Sequence, residues 1–175
     1  KVKYENFSAV LVSGSMTIFY FITYAAYTYY ALIPQLLTFV LMLVFTIFTV
    51  VTALKYNKQI IAHIGLVGAY AVPFLLSDDS GNALVLFSYM AIINIGILVL
   101  SFKKYWKPLY YVSFVLTWLI YFTWFASSYD LNEDFTTALT FASLFFIIFY
   151  ITFLAYKLLR KEPFEIIDII LLLIN

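Results

Sequence analysis

The sequence predicts an all-α fold, a polytopic transmembrane helical bundle with six complete spans and a partial seventh. Three observations lead to this prediction: the composition, the length of the apolar runs and the distribution of charge between them. Of 175 residues, 65% are hydrophobic and only 11% are charged, whereas a soluble domain usually has about a quarter charged residues. A surface that faces lipid explains both the shortage of charge and the aromatic content of 22%.

The apolar runs are long enough to cross a bilayer as helices. At a rise of about 1.5 Å per residue, roughly 20 residues cover about 30 Å of hydrocarbon. The alternating pattern of a membrane barrel is missing, and an open sheet would leave backbone groups unpaired in lipid. We therefore predict one transmembrane domain over residues 1–175. Its predicted spans are residues 8–30, 33–54, 60–76, 83–101, 109–129, 135–156 and 164–175.

Basic and acidic residues fall in different sets of loops. All ten basic residues lie in loops that this topology places on one side: Lys1, Lys3, Lys55, Lys58, Lys103, Lys104, Lys107, Lys157, Arg160 and Lys161. The opposite loops carry only acidic charges: Asp78, Asp79, Asp130, Glu133 and Asp134. The positive-inside rule therefore predicts a cytoplasmic N-terminus and cytoplasmic basic loops.

Several residues indicate where individual helices begin. Pro34, Pro108 and Pro163 each stand near the start of a predicted helix, a position that tolerates the missing N–H group. Glu133 and Asp134 precede the sixth span, where acidic side chains are expected to satisfy free N–H groups and to complement the helix dipole.

The first helical hairpin resembles the third, about 100 residues later, as in tandem membrane repeats. Tyr20-Phe21 matches Tyr121-Phe122, and the run Leu37-Thr38-Phe39 matches Leu139-Thr140-Phe141. Lys55 matches Lys157 in the same alignment. Tandem four-helix repeats would produce this similarity, and so would a chance match between aromatic-rich segments. Both interpretations remain open from the sequence.

The third span is short and interrupted, and its candidate residues are His63, Gly65, Gly68 and Pro73. Short spans with Gly and Pro mark binding regions in some transporters, which would make this a broken helix that lines a cavity. The alternative is close packing on a small-residue face with an ordinary proline kink. His63 is the only histidine, and either a proton-relay role or a hydrogen-bonded packing role fits its position.

Three further polar features lie in or near predicted spans. Asn94, in the middle of the fourth span, either bonds to a neighbouring helix or contacts a substrate. Glu165 and Asp168 either complement the dipole at the start of the seventh helix or form an intramembrane carboxylate pair. Asp78 and Asp79 form an outer polar turn that either binds a cation or is a simple turn, since it lacks the spacing of a calcium loop.

The composition argues against several classes of function. Cysteine is absent and histidine occurs once, so a cysteine nucleophile and a histidine metal cluster are not expected here. A net charge of +1 predicts no nucleic-acid partner, and no phosphate-binding loop or hydrolase motif is present. We predict no cofactor and no metal. The expected partners are membrane lipids and other membrane subunits.

Several short motifs occur in an order and spacing that resemble a known family. They are His63-Ile64-Gly65-Leu66-Val67-Gly68, Val72-Pro73-Phe74-Leu75-Leu76-Ser77, Ser80-Gly81-Asn82, Asn94-Ile95-Gly96 and Trp106-Lys107-Pro108-Leu109. The family is that of bacterial multi-pass predicted membrane proteins, domain of unknown function 2339. The resemblance implies an internal fragment of a longer bacterial inner-membrane protein, and it supplies no catalytic residues. The Asp78-Asp79 pair stands where the family more often has small polar residues.

Three functional hypotheses fit these observations. The first is transport or flipping of a cell-envelope component, which requires a polar cavity near His63 or Asn94. The second is a structural or assembly subunit, suggested by the scarcity of ionisable groups in the spans. The third is a membrane enzyme that acts on lipid-linked substrates at the outer face with Asp78 or Asp79.

Overall fold

The computed structural model describes residues 2–75, 83–104, 106–131, 133–161 and 163–175, and within these ranges the regular structure is entirely helical. The helices are α1 (Val2–Thr28), α2 (Gln35–Tyr56), α3 (Gln59–Leu75), α4 (Ala83–Lys103), α5 (Lys107–Ser127), α6 (Phe135–Arg160) and α7 (Ile166–Ile174). The predicted all-α class is confirmed. Each predicted apolar run corresponds to one of these helices, with ends that differ by a few residues.

Five helices are long and apolar enough to cross a membrane among the described residues. These candidate spans are Val10–Thr28, Gln35–Tyr56, Ala83–Lys103, Lys107–Ser127 and Phe135–Ala155. α3 is shorter, with 17 residues, which gives a length of about 26 Å at the usual rise. α7 has nine residues. Both short helices are apolar, but they are too short to be counted among the candidate spans.

Local backbone chemistry explains where the helices begin and end. Pro34 is the N-cap residue of α2, and Pro108 occupies the first turn of α5. α2 ends at Asn57 in the left-handed region (φ 52°), where the Lys58 N–H bonds back to the Ala53 carbonyl at 3.0 Å. Such a bond satisfies a carbonyl that the helix would otherwise leave free.

The start of α6 differs in one detail from the sequence-based expectation. Asp134 does stand at the N-cap position, but its side chain makes no capping bond to the helix. Instead its carboxylate accepts a hydrogen bond from the Asp130 N–H at 3.1 Å. The carboxylate therefore closes the α5–α6 turn, because Asp130 lies within its reach and the Asp134 backbone is helical.

The chain divides into two units, Lys1–Gly81 (unit 1) and Asn82–Asn175 (unit 2). Unit 1 contains α1, α2 and α3, each in contact with the other two. Phe19 stacks on Phe45 with ring centroids 5.5 Å apart, and the Tyr20 hydroxyl bonds to Thr46. These pairs join the second half of α1 to the middle of α2.

Aromatic contacts fix the helix directions in unit 2. Phe87, near the start of α4, lies 4.9 Å from Trp124, late in α5, and 5.4 Å from Phe141, early in α6, measured between ring centroids. Phe114, early in α5, lies 5.3 Å from Phe149, in the second half of α6. α4 and α6 therefore run parallel to each other, and α5 runs antiparallel to both.

Replacing Gly65 by alanine should destabilise unit 1, because the added carbon would lie 2.8 Å from the Thr49 methyl group. Thr49 has little freedom to turn aside, since its hydroxyl donates to the Phe45 carbonyl at 2.7 Å and β-branched side chains are stiff in helices. We expect a loss of about 1–3 kcal/mol in the free energy of unfolding. Thermal denaturation in detergent measures it.

Gly14→Ala is the matched control, because nothing lies within 4 Å of the added carbon there. It should be neutral or stabilising, since alanine favours the helical state over glycine by about 1 kcal/mol. A Gly65→Ala protein as stable as the Gly14→Ala protein would show that α2 and α3 do not make this close contact.

Candidate functional site

The candidate residues of α3 all lie in one continuous helix, which runs through Pro73 to Leu75. His63 is half-buried, and its ring Nδ1 lies 3.0 Å from the carbonyl of Gln59, one turn earlier. A carbonyl only accepts, so Nδ1 carries the proton in this contact. The observed contact of His63 is therefore a hydrogen bond within its own helix.

The two glycines of α3 provide space for side chains of neighbouring helices. A carbon added at Gly68 would lie 2.9 Å from the Tyr20 ring of α1, and one added at Gly65 would meet Thr49 of α2. Tyr20 is buried and held by its hydrogen bond to Thr46. The glycine face of α3 is thus filled by α1 and α2.

Asn94 of α4 faces Thr117 of α5, and both residues are fully buried (0% exposed). The Asn94 amide nitrogen donates to the Thr117 hydroxyl oxygen at 3.1 Å. The Thr117 hydroxyl lies 3.3 Å from the Asn94 amide oxygen and 2.8 Å from the Ser113 carbonyl. The Thr117 hydroxyl has one proton and two acceptors within reach. In either arrangement the Asn94 amide donates to this hydroxyl, so the two side chains link α4 to α5.

The most concentrated polar group of unit 2 surrounds Asp168, at the start of α7. Its carboxylate forms an ion pair with the ammonium group of Lys157, late in α6. Lys157 is 2% exposed and Asp168 is 5% exposed. Two opposite charges are therefore withdrawn from solvent together, which is tolerated only when their other bonding positions are also satisfied.

Further partners surround both charges. The Lys157 ammonium also donates to the Pro163 carbonyl at 2.8 Å and lies 5.2 Å from the centre of the Phe164 ring. The Asp168 carboxylate accepts the Glu165 N–H at 2.9 Å and the Tyr111 hydroxyl at 3.2 Å. We call Tyr111, Lys157, Pro163, Glu165 and Asp168 the α7 latch, because they join α5, α6 and α7.

A second ion pair lies at the same end of unit 2, between Lys107 at the start of α5 and Glu165. The Glu165 side chain is 60% exposed, so solvent screens this pair and its contribution to stability is small. Glu165 and Asp168, one turn apart in the predicted seventh span, therefore bond to different lysines. The Glu165 N–H bond to Asp168 also closes the first turn of α7.

The structure brings some predicted residues together and leaves others apart. Glu165 and Asp168 belong to one cluster in unit 2, whereas His63, Gly65, Gly68 and Pro73 belong to unit 1. Asp78 and Asp79 lie outside the described residues. The partners Lys157, Tyr111 and Thr117 were missed by the sequence analysis, which assigned Lys157 only to a basic loop. The sequence contained one signal for this ion pair: a single acidic residue, Asp168, lies in an apolar run eleven residues after Lys157.

The described residues contain no group of three or more His, Cys, Asp or Glu side chains arranged to hold a metal ion. The polar atoms of the latch and of the Asn94–Thr117 pair already have partners within unit 2. The observed contacts of both groups hold neighbouring helices together.

Long apolar helices with their polar groups bonded to one another define a helical membrane protein. The chain belongs to the family described as Predicted membrane protein (DUF2339), whose model matches residues 1–168. The family resemblance seen in the sequence motifs is thereby confirmed. No curated protein and no solved structure matches the chain.

Replacing Lys157 by methionine should strongly destabilise unit 2, because it leaves the Asp168 carboxylate buried without its cation. We expect a loss of about 3–5 kcal/mol in the free energy of unfolding. The double variant Lys157→Met/Asp168→Leu should recover part of this loss, since it also removes the cost of burying the remaining charge. Thermal denaturation in detergent checks both variants.

The exposed pair provides the matched control. Glu165→Gln removes an ion pair that solvent already screens, so its cost should be about 0–1 kcal/mol. Equal effects of Lys157→Met and Glu165→Gln would contradict the assignment of the buried pair as the main polar attachment of α7.

Proposed function

We propose that the chain is a structural segment of the bacterial cytoplasmic membrane, a helical scaffold that holds further membrane subunits in an assembly. The Asn94–Thr117 pair is the observation that carries the proposal. Asn94 is the candidate that a mid-membrane substrate site would use, yet its amide bonds to a neighbouring helix at full burial. A polar side chain used in this way stabilises helix packing in a membrane.

The transport or flipping hypothesis has less support from the geometry. It requires a polar cavity that reaches His63 or Asn94. His63 instead bonds to Gln59 of its own helix, and Asn94 bonds to Thr117 of α5. The glycines that would open such a cavity face Thr49 and Tyr20. Among the hypotheses drawn from the sequence, the scaffold role fits these contacts best. The hypothesis of an outer-face enzyme depends on Asp78 and Asp79, which are not described.

The proposed topology has six complete spans, a partial seventh and a cytoplasmic N-terminus. The geometry of unit 2 supports it, because Lys107 pairs with Glu165 and Tyr111 bonds to Asp168. These contacts and the Lys157–Asp168 pair bring Lys107 and Lys157 to one end of the unit, while Asp130 and Asp134 of the α5–α6 connection lie at the other end. The positive-inside rule then assigns the basic end to the cytoplasm.

The tandem four-helix repeat stays a prediction, and the environments of matched positions differ. Thr38 is buried and Thr140 is exposed; Lys55 is exposed and Lys157 is buried. A repeat that kept the same packing would place matched residues in similar surroundings.

Single cysteines test the topology, since these 175 residues contain none of their own. We expect Ser128→Cys, in the acidic α5–α6 turn, to react with a membrane-impermeant maleimide on intact cells. Lys58→Cys, in a basic turn, should react only after the membrane is permeabilised. The reverse pattern would invert the proposed orientation, and labelling of both positions in intact cells would indicate an even number of spans between them instead of the proposed three.

The scaffold role predicts a stable complex. Tagged protein extracted in mild detergent should retain other membrane proteins in a fixed ratio through size-exclusion chromatography. The folded Asn94→Leu variant should retain them equally well, because leucine fills the site and no substrate contact is lost. An isolated monomer that supports substrate flux in proteoliposomes, with the flux lost in Asn94→Leu, would overturn the proposal in favour of transport.

A further inference from the structure

We propose that one end of unit 2 binds the phosphate group of an anionic phospholipid through Lys103, Lys104 and Lys161. The basic end is defined as the surface formed by residues 103–107 and 157–168, where α4 and α6 end and α5 and α7 begin. The inference rests on the proposed insertion of unit 2 in a bilayer. To that proposal the inference adds the class of lipid that the basic end binds.

The charges at the basic end do not balance. Its two segments contain six basic and three acidic side chains. Glu165 is bound by Lys107, and Asp168 is bound by Lys157, so two of the acidic groups are already neutralised. Among the described ion pairs, none includes the remaining three lysines of this end: Lys103, Lys104 and Lys161. The two segments therefore carry a net charge of +3, which attracts an external anion.

The backbone that carries these lysines is held in place. The buried Tyr110 hydroxyl donates to the Lys104 carbonyl and accepts the Trp106 N–H at 3.3 Å. Lys161 ends α6 in the left-handed region (φ 55°), with its N–H bonded to the Lys157 carbonyl. The backbone groups of Lys104 and Lys161 are therefore already bonded within unit 2, which lowers the entropic cost of ordering these residues when a lipid binds.

The position of the basic end relative to the hydrocarbon favours a lipid over a soluble anion. Lys103 is the last residue of the candidate span Ala83–Lys103, and Lys104 directly follows it. Trp106 is a residue type that prefers the headgroup layer. Basic pockets next to spans on the cytoplasmic side bind anionic headgroups. A zwitterionic headgroup carries its own cation, which the lysines repel. We therefore commit to an anionic phospholipid such as phosphatidylglycerol.

Native mass spectrometry of the protein tests the inference, after reconstitution in nanodiscs of phosphatidylcholine with a minor fraction of phosphatidylglycerol. The triple variant Lys103→Gln/Lys104→Gln/Lys161→Gln should retain phosphatidylglycerol roughly a hundredfold less well than the parent protein. Lys55→Gln/Lys58→Gln, which changes the basic turn of unit 1, is the control and should retain it normally. Thermal denaturation of both variants verifies that they fold.

Two results would overturn the inference. The first is equal retention of phosphatidylglycerol by the parent and the triple variant, or an equal loss in the triple variant and the control. The second is full displacement of the bound lipid by inorganic phosphate, which would indicate a site for soluble anions. Nanodiscs expose both faces of the protein, so neither result depends on the sidedness that cysteine labelling measures. Failure of the lipid inference and failure of the proposed topology are thus distinguishable.

Discussion

The structure depends on one constraint, that a polar group removed from water must find its partner inside the protein. Several polar residues of the helix interiors follow it in two ways, whereas the buried Trp118 indole N–H has no hydrogen-bond partner among the described residues. Asn94 bonds across to Thr117, and the Tyr20 hydroxyl bonds to Thr46, so each pair joins two helices. Lys157 and Asp168 neutralise each other, and further donors and acceptors complete their bonding. These polar pairs therefore also determine which helices pack against each other.

Close packing of complementary surfaces holds the helices together where no polar bonds join them. In a bilayer, contact between apolar side chains gains little from excluding water, so association depends on close packing and on dispersion. In unit 1 the packing comes from glycines that admit Thr49 and Tyr20 against α3. In unit 2 it comes from aromatic rings, where Phe87 contacts rings of both α5 and α6. Small residues thus provide the close packing around α3, and large aromatic residues provide it around Phe87 and in the Phe19–Phe45 stack of unit 1.

Hydropathy was sufficient to predict the helices, because each apolar run and the Pro34 and Pro108 signals are local in sequence. The pairings were harder to predict, since they depend on which face of a helix meets which neighbour. Two interpretations of Asn94 followed from the sequence, an interhelical bond and a substrate contact, and many hydroxyls on other spans were equivalent partners for such a bond. Lys157 looked like any other loop lysine, because its burial results from the return of α7 toward α5 and α6. The role of Asp134 was missed for a similar reason, as its partner, Asp130, is fixed by the turn.

The central claim is that the Asn94 side chain lies in a dry contact between helices and lines no aqueous path. Water-edited solid-state NMR of the protein in lipid bilayers measures this directly, through the rate at which magnetisation passes from water to the side-chain amide of Asn94. The account predicts a transfer as slow as that to the buried Phe87 ring. Transfer as fast as that to the exposed Ser128 in the α5–α6 turn would place water beside Asn94 and contradict the account.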